Sequence, residues 1–406
     1  MKDEIKILFA EEKKRGAVLK VVGVGGAGGN AVNRMIEEEL KGVDFIAVNT
    51  DIQDLAQIKK PSQIVQIGEK ITRGLGAGSN PDVGEQAAME DTQVLLDQLE
   101  GANMVFITAG MGGGTGTGAA HVIANLAASL GILTVGVVSK PFNFEREKRM
   151  QVAEEGIRKL QENVDAVIII PNQKLLELGD ANLTFKQAYK KADEVLLQAV
   201  RGIADMINHS GDQNVDFADV RTTMIGKGLT LMGTGEAKGA NRAEEAALKA
   251  IHSPLLENVS IAGATGILYN ITASCSLTMT EIETISNLVT DCCHPEATVK
   301  FGVITDETLD ESLRVTVIAT GFQREREIQE NVFKRFPTPP PAARENLFNR
   351  NITPDKYQLR PRNASPFDIT GYVNEGNLAA NGGIGIDDFD DPLDKPAFLR
   401  RVESKK

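Results

Sequence analysis

Two glycine-rich runs, each preceded by an apolar segment of strand length, constrain this chain more than any other feature. Leu19–Val24 leads into Gly23-Val24-Gly25-Gly26-Ala27-Gly28-Gly29-Asn30, and Met104–Ala109 leads into Gly110-Met111-Gly112-Gly113-Gly114-Thr115-Gly116-Thr117-Gly118. Glycine lets a backbone turn sharply and approach an anion, and a helix that follows aims free N–H groups and its positive dipole end at the same point. Helical patterns do follow, at Ala31–Leu40 and Thr117–Leu130. Apolar runs at Asp44–Asn49, Leu133–Val138 and Ala166–Ile170, with a helical pattern at Glu85–Leu99, extend the alternation. Several of these strands are apolar on both faces, which marks βαβ units and a parallel sheet covered by helices. The expected class is α/β: a Rossmann-like parallel-sheet domain over 18–183 after a flexible segment 1–17.

A helical stripe follows from about Thr184 to His209, with Phe185, Ala188, Ala192, Val195, Leu196, Ala199, Ile203, Met206 and Ile207 on one face. It is expected as a long central helix over 184–210, stopped at Ser210-Gly211-Asp212. A second α/β domain is expected over 211–322, with strands at Gly266–Ile271, Thr298–Val303 and Leu313–Thr320 and a helix at Glu281–Asp291. Beyond Phe322, the cluster Pro337, Pro339, Pro340 and Pro341 opens a stretch poor in apolar residues, read as a disordered linker over 323–386. Apolar residues return within an acidic context over 387–406, the pattern of a docking peptide or of a solvated charged tail.

Formal net charge is −12, so phosphate backbones and anionic membranes are repelled, and a nucleic-acid role is disfavoured. Cys275, Cys292 and Cys293 have neither disulfide-framework nor metal-ligand spacing, and the four histidines are scattered. The start is too acidic for a signal peptide, and no apolar run approaches the ~18 residues of a membrane span. The expectation is a soluble cytoplasmic protein without direct membrane insertion.

Taken alone, the first glycine run contains G-x-G-x-x-G, and Asp51 closes the next strand where a ribose-binding acid would sit. That pattern suits an NAD-dependent dehydrogenase. The second run gives a different reading, because two anion loops after two parallel strands converge on one crevice and suit a triphosphate held from both sides. No lysine follows the glycines, so this is not a Walker loop. Backbone N–H groups, a metal ion and Arg149 must then offset the phosphate charge. Tight turning alone is the plainer use of such glycines, but runs this rich in glycine and threonine seldom serve turns only.

Gly110–Gly118 resembles the signature of the tubulin/FtsZ GTPase superfamily. The resemblance continues through Gly25–Asn33, Val48-Asn49-Thr50-Asp51, Gly74–Gly78, Lys140–Glu145, Asn214–Arg221, Arg242-Ala243 and Val315–Gly321. It implies a GTP/GDP-binding, polymerising GTPase of bacterial cell division, acting at the mid-cell ring as a head-to-tail homopolymer. Mg2+ would be held mainly by the nucleotide's phosphates, with K+ a further candidate and no metal site made of protein side chains. Carried over, Gly25, Gly26, Ala27, Gly28, Gly29 and Asn30 would surround phosphates, as would Gly112, Gly113, Gly114, Thr115 and Gly116. Glu145 would bond the ribose, and Arg149 the ribose or phosphate. Asn172 and Asp193 would read the guanine edge, with Tyr189, at a position often Phe in relatives, stacking on the base.

The phosphate loops contain no evident general base. Carboxylates occur at Asp216 and Asp219, with Asn214 nearby, and could orient an in-line water. Capping the next helix is a coexisting role for either aspartate. The resemblance implies that this loop acts on the nucleotide of a neighbouring subunit. It also implies that 387–406 docks membrane tethers and regulators through Leu393, Pro396, Phe398 and Leu399, with Arg400 and Arg401 supplying charge. Lys395 and His121 depart from the family pattern, and the Cys292-Cys293 pair is a further departure. A nucleotide-binding structural protein that does not hydrolyse is a third reading, disfavoured by the paired carboxylates.

Overall fold

The computed structural model describes residues 16–60, 62–177, 183–208, 215–253 and 263–322. The linker, the docking peptide, nearly all of the N-terminal segment, Asn214 and the helix stop at 210–212 lie outside these residues.

The first half alternates as the sequence predicts. In chain order it runs β1 (Leu19–Val24), α1 (Gly25–Glu37), β2 (Val43–Asn49), α2 (Ile52–Leu55), β3 (Gln63–Gln66), α3 (Glu69–Thr72), α4 (Pro81–Glu90), α5 (Thr92–Leu99), β4 (Met104–Gly110), α6 (Thr115–Ser129), β5 (Leu133–Lys140), α7 (Glu147–Gln161), β6 (Ala166–Pro171) and α8 (Asn172–Glu177). The chain continues with α9 (Phe185–Asn208), α10 (Phe217–Met224), β7 (Gly228–Lys238), α11 (Arg242–Ile251), β8 (Gly266–Ala273), α12 (Met279–Asp291), β9 (Thr298–Thr305) and β10 (Ser312–Thr320).

Among the described residues, the ten strands form one sheet in the order β3-β2-β1-β4-β5-β6-β7-β10-β8-β9. The strands from β3 to β7 are parallel, and β10 runs antiparallel between β7 and β8. The seam between the halves is short: only Ala166, Val167 and Ile168 of β6 pair with Gly228, Leu229 and Thr230 of β7. Helix α9 strengthens it. Its apolar face, including Leu196, Val200, Ile203 and Met206, is buried in one core with Val21, Phe106, Val135 and Ile168 of the first half and Met232, Leu268 and Ile318 of the second. The opposite face of the first half buries Ala87, Leu95, Ile123 and Leu160 from α4, α5, α6 and α7. A third core lies around α11 and α12.

Three local expectations change. Helix α1 begins at Gly25, so the glycine run is itself the first turn. The predicted helix Glu85–Leu99 lies within two helices that meet at Asp91, whose side chain accepts a hydrogen bond from the Gly68 amide at 2.7 Å. Phe185, read into the buried stripe of α9, is 70% exposed. Its ring instead joins a cluster at the carboxyl edge of the sheet, with Phe144 and Tyr189.

Candidate active site

Because β1 and β4 are neighbours with Val24 opposite Ala109, the two glycine runs leave the same sheet edge side by side. They interlock. A Cβ on Gly25 would stand 2.8 Å from the Gly116 backbone nitrogen, and one on Gly110 would stand 2.6 Å from Ala27 Cβ. Gly25 and Gly112 also adopt φ of 73° and 95°, a region L side chains rarely occupy. Gly28 and Gly29 are buried, and Gly28 packs so close to the Thr108 carbonyl that its missing side chain serves the seating of α1. Gly26 is partly exposed, and Ala27 and Asn30 are exposed.

Neither α1 nor α6 has a side-chain N-cap: the cap positions are Val24 and Gly114. First-turn N–H groups without a cap need another acceptor, and two such turns flank the crest of the second loop. At that crest a Cβ on Gly113 would meet nothing within 4 Å, so the loop is open on that side. Threonines brace it from below. Thr115 Oγ1 lies 2.7 Å from Thr50 Oγ1, and Thr117 Oγ1 accepts from the Gly112 amide at 2.9 Å.

The second group of residues lies beyond β5 and β6. Glu145 has a nearly buried side chain whose Oε1 accepts from the Phe142 amide at 2.9 Å, while Oε2 pairs with Arg149 at 2.9 Å. Arg149 leaves half its side chain exposed, and its backbone carbonyl lies against Gly112, linking this group to the second loop. Tyr189 stands edge-on to Phe142 at 5.2 Å and 4.9 Å from Phe185. Burial, followed by the Glu145 charge, pushes its phenol up to about 12, so the hydroxyl keeps its proton.

Asn172 opens α8 straight from β6; it is 4% exposed, and its Oδ1 has no hydrogen-bond partner. Asp193 on α9 has its carboxyl pushed up to about 7 by burial, with Arg34 opposing the rise and Glu194 adding to it. An unsatisfied acceptor and a desolvated carboxylate both require donors.

Asp216 and Asp219 sit elsewhere. Asp216 is the N-cap of α10, its Oδ1 accepting from the Asp219 amide at 2.7 Å. Asp219 pairs with Lys300 of β9 at 2.9 Å. Helix α10 enters β7 at Gly228, which pairs with Ala166, the first residue of β6; this is the amino edge of the parallel strands. Arg221 of α10 reaches the Gly131 carbonyl just ahead of β5. Helix α9 measures the separation. Phe185, its first residue, touches Phe144 beyond the carboxyl end of β5, whereas Asn208, its last, donates to the Gly42 carbonyl ahead of β2 at 2.9 Å. Twenty-four helical residues span roughly 36 Å. Within one chain the glycine runs and the paired carboxylates therefore occupy opposite edges of the sheet. Among the described residues no three His, Cys, Asp or Glu side chains gather as a metal site.

Comparison with known proteins decides which nucleotide chemistry this is. Residues 18–180 match the model of the tubulin/FtsZ family GTPase domain, and residues 228–323 match the FtsZ family C-terminal domain. This chain belongs to the tubulin/FtsZ family. Curated relatives place it in the FtsZ branch: it is 47% identical over 392 residues to the cell division protein FtsZ of Buchnera aphidicola, covering 96% of this chain and 98% of that one. The corresponding protein of Pseudomonas aeruginosa is 46% identical over 391 residues, covering 95% and 96%. Among solved structures, an empty FtsZ dimer from M. jannaschii superimposes with a TM-score of 0.72 at 44% identity, over 76% of this chain and 89% of that one. CetZ2 from Haloferax volcanii, solved as a GTPγS-bound protofilament, shares the fold at TM-score 0.64 and 22% identity, over 82% and 98%.

The FtsZ-family chain is thus a GTPase, and the dehydrogenase alternative has no support. Asp51 serves another purpose, capping α2 by accepting from the Gln53 amide at 2.8 Å. Three features carry no functional role in the sequence pattern: Thr50, the Phe142–Phe144 ring pair that Phe185 joins, and Lys300. Thr50 lay inside a motif that was recognised, while the aromatic group and Lys300 depend on tertiary contacts.

Proposed function

We infer that this chain is a polymerising GTPase of cell division in which each nucleotide is gripped by one subunit and cut with acids lent by the next. The observation that carries this reading is the separation just described. A carboxylate pair at one end of a subunit and phosphate loops at the other complete one another only head to tail, and a heterologous contact of that kind propagates as a filament.

The triphosphate rests against the first turns of α1 and α6 and the open crest around Gly113. Arg149 and Glu145 hold the sugar side, and Tyr189 faces the base. Asn172 and Asp193 supply acceptors; a carboxylate there takes the N1–H and 2-amino donors of guanine, which adenine lacks. Mg2+ would be held mainly by the nucleotide's own phosphates, where it would offset part of their charge beside the backbone N–H groups and Arg149. From the neighbouring subunit, Asp216, Asp219 and Asn214 orient the attacking water, since phosphoryl transfer needs alignment and charge management more than covalent help. Hydrolysis leaves GDP at the junction and weakens it. Residues 387–406 recruit membrane tethers and regulators, which fixes the filament at the mid-cell ring.

Asp216→Ala and Asp219→Ala test the division of labour. Each is expected to bind GTP with unchanged affinity and to polymerise, while phosphate release falls by a hundredfold or more (about 2.7 kcal/mol). Loss of GTP binding in these variants, or full hydrolysis, refutes the assignment.

A further inference from the structure

We propose that Lys300 is a positioning residue of the shared site, holding Asp219 and offsetting its charge where the carboxylate edge meets the neighbour's triphosphate. The proposal rests on the head-to-tail reading above. Lys300 lies in β9, the last strand in the order of the ten-stranded sheet, and its Nζ is 2.9 Å from Asp219 Oδ1. The two aspartates of this loop are held differently. Asp216 is held by its own helix, whose Asp219 amide it caps at 2.7 Å. The Asp219 side chain has Lys300 as its ion-pair partner.

Electrostatics gives that pair a task. A junction built as proposed brings two carboxylates up to a triphosphate, like charge against like charge. Without a fixed cation on the acid side the approach is opposed, and Asp219 is free to rotate away from the water it must orient. Both side chains are about 40% exposed in the free subunit, where a solvated pair contributes little. Burial under a neighbouring subunit removes water and salt from around the pair and strengthens it. Among the described residues of this edge, Arg221 donates to the Gly131 carbonyl at 3.5 Å and Lys227 to Thr265 Oγ1 at 3.4 Å, whereas Lys300 pairs with Asp219 at 2.9 Å. A lysine on an edge strand also discourages strand-to-strand aggregation, and that rival role makes a different prediction.

The test uses the full chain as wild type, Lys300→Ala, Lys300→Arg, Asp219→Ala and the Lys300→Ala/Asp219→Ala double variant. It records GTP affinity, the critical concentration for assembly, and phosphate release per polymerised subunit. Lys300→Ala is expected to leave GTP affinity unchanged, raise the critical concentration several-fold and lower release per polymerised subunit about tenfold, the scale of one charge-assisted hydrogen bond. Lys300→Arg restores both. In the Asp219→Ala background, Lys300→Ala no longer raises the critical concentration, because the charge it offset has gone. Wild-type behaviour of Lys300→Ala overturns the proposal, as does an equal shift in both backgrounds, which is the signature of edge protection. If Asp219→Ala alone hydrolyses normally, the shared-site reading itself fails.

Discussion

Gly25 and Gly116, on the first turns of two different helices, meet so closely that a Cβ on Gly25 would stand 2.8 Å from the Gly116 nitrogen. That approach joins two glycine runs more than eighty residues apart into one surface, the one proposed to cradle the phosphates. Gly25 also holds φ at 73°, so an alanine there is strained whatever space is made for it. Gly25→Ala is expected to weaken GTP binding at least tenfold, measured by fluorescent-nucleotide titration, while the circular-dichroism spectrum stays native.

With Asp193 assigned to the guanine edge, nucleotide binding is expected to depend on pH. Burial pushes its carboxyl up to about 7 from an ordinary 3.8, and only the ionised form accepts two donors from guanine. Affinity for GTP is expected to be flat above pH 7 and to fall toward tenfold per unit below it. Asp193→Asn removes that pH dependence and weakens GTP binding by roughly a hundredfold, the scale of lost charged hydrogen bonds.

The same shift acts on stability. The folded state holds the Asp193 proton more tightly than the unfolded chain, so this group's contribution declines as pH rises from about 3.8 through about 7. Nucleotide-free Asp193→Asn is therefore expected to gain melting temperature relative to wild type at pH 8 and to lose most of that advantage at pH 5. Calorimetry at the two pH values checks the sign.

Tyr189 is assigned to the base through its ring. Tyr189→Phe is expected to bind GTP within a few-fold of wild type, whereas Tyr189→Ala loses about 1–3 kcal/mol, the scale of one aromatic–base stack. Equal losses in both variants would assign the effect to the hydroxyl facing Glu145.

Much of this fold was legible because buried parallel strands announce themselves: Leu19–Val24 matches β1 to the residue, and the strands predicted at 104, 133, 166, 266 and 298 begin where they are observed. β7 escaped for a physical reason. No strand is predicted over 228–238, where Gly233 and Gly235 interrupt the apolar pattern; each lies where a Cβ would collide with the backbone of α11, at Ala250 and Ala246. In β7 glycine marks close approach of a helix and not a turn. The start of α1 was hidden likewise, since glycine is a poor helix former and only the packing of Gly28 on Thr108 explains its place there. At the site, motif residues could be named from the sequence, but their commitments could not: Asp51 caps the helix that directly follows it, while Thr50 bracing Thr115 and Lys300 holding Asp219 depend on distant chain segments.

The central claim is that hydrolysis belongs to the junction between subunits. Phosphate release per subunit, followed as protein concentration is raised from high dilution, tests it most directly. Release is expected to stay close to zero until a threshold at which light scattering also rises, and to increase steeply beyond it. Constant release per subunit down to concentrations where no polymer forms would contradict it.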